Sequence, residues 1–330
     1  PKHYAAYGFA EAGRDYNTVD ISERTLREVC LPPFKAAFEA DAQTVMTSFN
    51  EIGGVPSTSN SFLLKTVLRD EWQMNGVVVS DYNAIGELIH HGVAEDLREA
   101  ARLSILAGVD IDMDSGAYSR YLAELVQSGE VPMEVLDQSV CRILRLKLAL
   151  GLFEQPFTDE NLAEQVILNA DHRELALEVA QQSMVLIKNK AELLPLKPEH
   201  LRIALIGPLS DNQADLLGCW ASAGHPEDVE TIYDGFCKYL PEENIVLHQG
   251  CSLAGNDALD IAGALEAAQQ ADVVILAVGE SREMSGEAHS RVHLGLPGRQ
   301  QELADALAGL GKPLVVIVLS GRPLVIPGLA

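Results

Sequence analysis

The stretch GVVVSDYNAI, residues 76–85, decides the fold. Val77 to Ser80 form a short run dominated by branched residues, the composition of a strand covered on both faces. The run breaks at Asp81, and an aromatic and an amide follow. In folds built on parallel sheets, functional side chains collect at the carboxyl ends of strands. A carboxylate at this point is therefore either a reactive group or a cap on the next helix or turn. The stretch alone leaves both readings open.

Working outward, apolar runs alternate with amphipathic segments. Strands are expected at 43–48, 76–80 and 109–113, with helices at about 22–40, 61–72, 95–107, 117–128 and 132–149. The segment SFLLKTVLRDEW carries apolar residues at 62, 63, 64, 67, 68 and 72, a helical stripe. This βαβα order predicts a parallel sheet. Phe153, Pro156 and Phe157 then interrupt the periodicity over 152–172. A second alternating block follows. A helix at 172–183 leads into MVLIKN (184–189), strands are expected at 202–206, 244–248, 273–279 and 314–319, and helices at about 258–270 and 298–310. That is a doubly wound α/β pattern. Both blocks read as incomplete. The first shows few strands, and the second stops at Ala330 just after a strand and a Gly-Arg-Pro turn.

Bulk composition narrows the function. A length of 330 residues and 47% hydrophobic content suit about two globular domains. The net charge of −24 argues against nucleic acid, whose binders carry basic patches, and against anionic membrane surfaces. No apolar run approaches the ~18 residues of a membrane helix. The five cysteines are scattered without a CxxC pair, so neither a disulfide framework nor a zinc site is expected, and most should be buried. The chain starts at Pro1 without a signal segment, so a fragment or processed chain is expected and the compartment is not read from its start.

Several motifs fail on spacing. Neither GPLSDN (207–212) nor ESREMSGE after VVILAVG supplies the GxGxxG of a dinucleotide fold. There is no P-loop and no HExxH. His90 and His91 are adjacent and do not share a helix face. Asp110, Asp112 and Asp114 alternate like a calcium loop but lack its glycine and terminal Glu. Two strand-end sites with carboxylates remain: Asp81, and the loop 280–291 with Glu280, Glu283 and Glu287. Two carboxylates, one nucleophile and one acid/base, are the minimum kit for retaining glycoside hydrolysis.

KHYAAYGFAEAGRDYNTVDIS at the start, VMTSFNEIGGVPSTSN and GVVVSDYNAI resemble glycoside hydrolase family 3. The likeness continues through HRELALEVAQQSMVLIKNKAELLPL, IALIGPLSDN, GCWASAG, VVILAVGESREMSGEAHSR and LSGRPL. It implies an α/β chain holding the C-terminal part of a (β/α)8 barrel (1–151), a bridge (152–172) and a partial α/β sandwich (173–330). It implies an exo-acting retaining β-glucosidase, with β-xylosidase, a mixed exo-glycosidase or a non-catalytic fragment as alternatives.

The resemblance places the nucleophile on Asp81 and the acid/base on Glu287, with Glu280 and Glu283 as rivals. Lys2 and His3 match the family's sugar-binding Lys-His pair, and Lys2 is the expected cation near Asp81. Arg14, Met46, Phe49 and Tyr82 complete the expected substrate-binding set, and Asp15 sits beside Arg14. Some relatives carry Tyr where Phe49 stands, and many carry Trp or His in place of Tyr82. The Asp-Ser-His motif of the family's N-acetylglucosaminidases is absent; Gly13-Arg14-Asp15-Tyr16-Asn17 stands there instead. Expected partners are small β-glucosides or cello-oligosaccharides, with a homodimer left open and no nucleic acid, membrane, metal or cofactor. A periplasmic or secreted location is implied.

Overall fold

The computed structural model describes residues 1–255 and 260–329. The chain divides into two compact units, Pro1–Asn169 and Ala170–Ala330.

The first unit contains β1 (Thr44–Met46), the short antiparallel pair β2 (Glu51–Ile52) and β3 (Val55–Pro56), and β4 (Val77–Val79). β1 and β4 pair in parallel, with Met46 opposite Val79. Single parallel bridges extend this arrangement, Tyr4 to Thr47 on one side and Val79 to Ile111 on the other. Val45, Val78, Leu64, Leu68, Leu88 and Ile105 are buried in one core beneath these strands. Each such side chain contributes about 1.5–3 kcal/mol by leaving water. The helix Leu97–Ala107 shows how local signals bound these elements. The Asp96 carboxylate accepts the Glu99 N–H at 2.8 Å, and Gly108 ends the helix at φ 113°.

Two expectations fail here for identifiable reasons. The helix expected over 22–40 is broken into Glu23–Thr25, a π-helical turn at Leu26–Cys30, and Pro32–Glu39. Pro32 and Pro33 lack the N–H groups that would continue the ladder, and a proline suits a new first turn. The strand expected at 109–113 is reduced to the Val79–Ile111 bridge. There the Asp110 carboxylate accepts the Val78 N–H at 2.8 Å, and a side chain replaces a strand partner. The segment expected as a helix at 61–72 forms over Phe62–Glu71 with π-helical hydrogen bonding.

The second unit is built on a four-stranded parallel sheet: β5 (Ile203–Ile206), β6 (Ile245–His248), β7 (Val273–Gly279) and β8 (Leu314–Leu319). The spatial order is β6-β5-β7-β8. Alternate residues face opposite sides, as the strand period of two requires. Ala204, Ile206, Val274 and Leu276 pack with residues of the helices Ile261–Gln269 and Gln300–Ala308. Ile203, Leu205 and Ile275 pack with Ile232 and Phe236 of the helix Ile232–Cys237. The order reverses between β5 and β7, which marks a switch point where doubly wound sheets place ligands. The expected helix start at 258 lies outside the described residues, as does the expected chain end at Ala330.

The cysteines differ from expectation. Cys30 and Cys251 are buried, but Cys141 and Cys219 are exposed and Cys237 is half-buried. Cys141 lies on the surface of the helix Met133–Ala149, where no core covers it.

Candidate active site

Asp81 lies two residues beyond the end of β4, and its position is set from three directions. The Ser80 N–H donates to Ile111 O at 2.9 Å, and Asn83 N–H to Met113 O at 2.9 Å. The Ser80 hydroxyl accepts the Met113 N–H at 2.8 Å. The loop 111–113 thus clasps residues 80–83. Asp81 Oδ1 accepts the Tyr82 N–H at 2.7 Å. The residue is only 8% exposed, and its Oδ2 has no aligned hydrogen-bond donor among the described residues. A ring nitrogen of His3, Nε2, lies 3.2 Å from Oδ2, within ion-pair distance but without hydrogen-bond alignment.

Backbone bonds hold His3 there. Met46 N–H donates to Pro1 O at 3.1 Å and Tyr4 N–H to Met46 O at 2.8 Å, so the N-terminal segment runs beside β1. Met46 therefore contributes through its backbone, and its partner across the ladder is Val79. Lys2 was expected to supply the cation near Asp81. Lys2 is exposed and makes no ion pair with Asp81 among the described residues; the side chain that lies beside Asp81 Oδ2 is the imidazole of His3. Arg14 is exposed on the loop after the turn Glu11–Gly13. Phe49 is buried against Tyr16 at 4.7 Å and Tyr7 at 6.2 Å between ring centroids, and Tyr7 meets His3 edge-on at 5.1 Å. This aromatic chain from Tyr16 to His3 includes two residues, Tyr7 and Tyr16, to which no role was assigned from the sequence. Their only sequence signal is the density of aromatics near Lys2-His3.

The alternating aspartates have separate tasks. Asp110, with a fully buried carboxylate, receives Arg142 Nη2 at 2.7 Å and Arg69 Nη2 at 3.1 Å. Burial is the main force pulling the Arg69 pKa down, to about 10; Asp110 pulls it back up and Arg142 adds to the fall. Arg69 also donates to Met74 O and Gly76 O at 2.6 and 2.7 Å, just ahead of β4. Asp112 accepts the Ser115 hydroxyl and the Tyr118 N–H. Asp114 is the chief cause of the raised Tyr82 pKa.

In the second unit, Glu280 follows β7 at the switch point. Gly279 precedes it at φ 149°, where an added Cβ would meet Leu319 O at 1.8 Å. Glu280 is 5% exposed. Arg291 Nη1 donates to its Oε1, and the Ser320 hydroxyl lies 2.7 Å from Oε2. Arg322 Nε lies 3.4 Å from the same oxygen. Burial alone would raise the Glu280 pKa, but Ser320, Arg291 and Arg322 outweigh it and hold it below the ordinary value. Glu283 is exposed and paired with Arg282 at 3.1 Å. Glu287 is exposed at a tight turn between Gly286 (φ 112°) and Ala288 (φ 60°).

Each unit thus carries a nearly buried carboxylate at the end of a parallel strand, Asp81 in the first and Glu280 in the second. Residues 1–146 match the glycosyl hydrolase family 3 N-terminal domain, and residues 184–329 match the family's C-terminal domain. The chain belongs to glycosyl hydrolase family 3. It is 41% identical to a periplasmic β-glucosidase of Salmonella typhimurium, over 98% of this chain and 46% of that protein. It is 36% identical to a β-xylosidase of Formosa agariphila, over 98% of this chain and 47% of that protein. Its mixed α/β fold matches that of a Listeria innocua β-glucosidase solved with laminaribiose, at TM-score 0.91 and 39% identity, covering 99% of this chain and 45% of that one. The chain thus spans about half the length of the relatives it matches.

Proposed function

We propose that the full-length protein containing this chain is an exo-acting retaining β-glucosidase that removes terminal non-reducing β-D-glucosyl residues by double displacement. The observation that carries this reading is Asp81, a nearly buried strand-end carboxylate with an unsatisfied oxygen and an imidazole nitrogen 3.2 Å away, in a family 3 chain. Asp81 attacks the anomeric carbon while Glu287 protonates the leaving oxygen. Water then hydrolyses the glycosyl–enzyme with Glu287 as base. An unsatisfied carboxylate oxygen suits the nucleophile, because no donor has to be stripped from it. The exposed turn suits Glu287, because a general acid must exchange its proton at every turnover. Glu280 is the weaker rival, since its two oxygens are already held by two arginines and a hydroxyl.

In this reading residues 1–151 are the later part of a (β/α)8 barrel, 152–172 a bridge and 173–330 part of an α/β sandwich. His3, Lys2, Arg14, Met46, Phe49 and Tyr82 contact the sugar. Substrates are small β-glucosides or cello-oligosaccharides, and the location is periplasmic or secreted, as the name of the Salmonella relative suggests.

The test uses the full-length protein. Asp81→Ala abolishes turnover of an aryl β-glucoside and covalent labelling by a 2-fluoro-glucoside. Glu287→Ala loses most of its kcat on an activated substrate, because hydrolysis of the glycosyl–enzyme needs the base, and regains it with azide. If Glu280→Ala shows the azide rescue instead, the acid/base assignment falls. A second reading, β-xylosidase, draws on the similarity to the Formosa enzyme. Paired kcat/KM values on an aryl glucoside and an aryl xyloside decide between them.

A further inference from the structure

We propose that Arg322 and Glu280 form a positioning pair that holds the loop 280–291 and so sets where Glu287 presents its carboxyl. The inference rests on the reading of Glu287 as acid/base.

One guanidinium spans the loop. Arg322 Nη2 donates to Met284 O and to His289 O, the latter at 2.8 Å. Met284 lies three residues before Glu287 and His289 two after it, so a single rigid group pins both flanks of the turn. Glu280 completes the device. Its buried carboxylate lies 3.4 Å from Arg322 Nε and accepts from Arg291, which closes the first residue of the loop onto the last. Ser320 ties the carboxylate to the end of β8. Gly321 has the same logic: a Cβ there would meet Ser285 Oγ at 2.2 Å, so the segment after β8 presses directly on the loop.

Both carbonyl bonds come from one nitrogen, Nη2, and Nε meets Glu280 at ion-pair distance without an aligned hydrogen bond; the planar guanidinium keeps these contacts in one fixed geometry, which a flexible lysine ammonium lacks. The turn carries two residues at positive φ, Gly286 and Ala288, and its local order depends on what holds its flanks. A general acid displaced by even about 1 Å loses much of its contribution. That loss falls on substrates whose leaving group needs protonation, while a 2,4-dinitrophenolate departs without help.

The experiment compares wild type, Arg322→Met and Arg322→Lys in the full-length protein by two readouts. Hydrogen exchange of peptides covering 281–291 rises about tenfold or more in Arg322→Met and less in Arg322→Lys. For an unactivated disaccharide kcat/KM falls about 30- to 100-fold in Arg322→Met, within the usual range for general acid catalysis. For 2,4-dinitrophenyl β-glucoside it falls less than about threefold, and Arg322→Lys lies between on the disaccharide. If Arg322→Met does not fold, Arg322→Lys alone decides by the same two readouts. Unchanged exchange overturns the clamp. Faster exchange with equal losses on both substrates overturns the positioning role, because a merely structural residue would give that result. A wild-type protein inactive on both substrates defeats the reading of Glu287 and the positioning role with it. The exchange data then still report whether Arg322 orders the loop, so the two failures are distinguishable.

Discussion

Asp81 and Glu280 occupy equivalent places, each at the carboxyl end of a parallel strand and each nearly buried, yet their surroundings are opposite. Glu280 is held by Arg291, Ser320 and Arg322. Asp81 has one backbone donor on Oδ1 and an unaligned imidazole near Oδ2. A buried carboxylate costs free energy unless its oxygens are satisfied. The fold meets that cost fully at Glu280 and leaves it partly unmet at Asp81. Position at a strand end therefore nominates a carboxylate, and the count of its donors separates a brace from a reactive group.

The contrast predicts a crossed pattern in mutants. Asp81→Asn lowers kcat/KM on an aryl β-glucoside by about 10⁴-fold or more, equivalent to about 5.5 kcal/mol of barrier, while the urea midpoint stays the same or rises, as at functional sites that trade stability for activity. A fall in stability comparable to that of a braced carboxylate would break the comparison. Asp110→Ala gives the opposite result. It leaves Arg69 and Arg142 without their buried counter-ion and costs about 3–5 kcal/mol of stability, read from urea unfolding.

Glu280→Gln sharpens the same contrast through pH. It costs about 3 kcal/mol near neutral pH, the lower end for a broken buried pair, because both arginines keep some exposure. The Glu280 pKa is depressed on folding, so its contribution is fully present above the ordinary value of 4.5 and is lost as pH falls through the lower folded value. The difference in Tm between wild type and Glu280→Gln is therefore constant from neutral pH down to about 5 and shrinks below about 4.5. A difference that grows on acidification would contradict the ion-pair account.

The second sheet was readable because its strands are compact runs of Val, Ile and Leu, fully buried in β5 and β7 and half-buried in β8; VVILAVG and LVVIVL have the bounds the pattern predicts. Residues 109–113 were misread for a reason beyond local pattern. Their alternation is that of a strand, but Asp110 is claimed by Arg69 and Arg142 from distant segments and spends its carboxylate on the Val78 N–H. The break near residue 31 was visible in Pro32-Pro33, and the helical stripe around it masked the signal. At the candidate site, Asp81 was marked by the end of its strand. Nothing in spacing alone could bring His3 to it across that sequence distance, or choose His3 over Lys2 as the neighbour. That choice is made by the backbone bonds of Pro1 and Tyr4 to Met46. Tyr7 and Tyr16 belong to irregular segments, where neither helical nor strand periodicity marks a side chain as inward.

The smallest expected effect lies next to the largest. Tyr82 adjoins Asp81, yet it is 62% exposed, and Asp114 is the chief cause of its raised pKa. The Tyr82 N–H, not the side chain, supports Asp81 Oδ1. Removing the hydroxyl therefore leaves the carboxylate's position intact. Tyr82→Phe keeps Tm and kcat unchanged within about twofold, and any change appears in KM, because an exposed ring beside the proposed nucleophile can contribute only uniform binding. If kcat falls with KM constant, the Tyr82–Asp114 contact acts on the transition state through the 110–114 loop. The clasp of that loop on residues 80–83 would then be part of the reactive group's support and not merely of the fold.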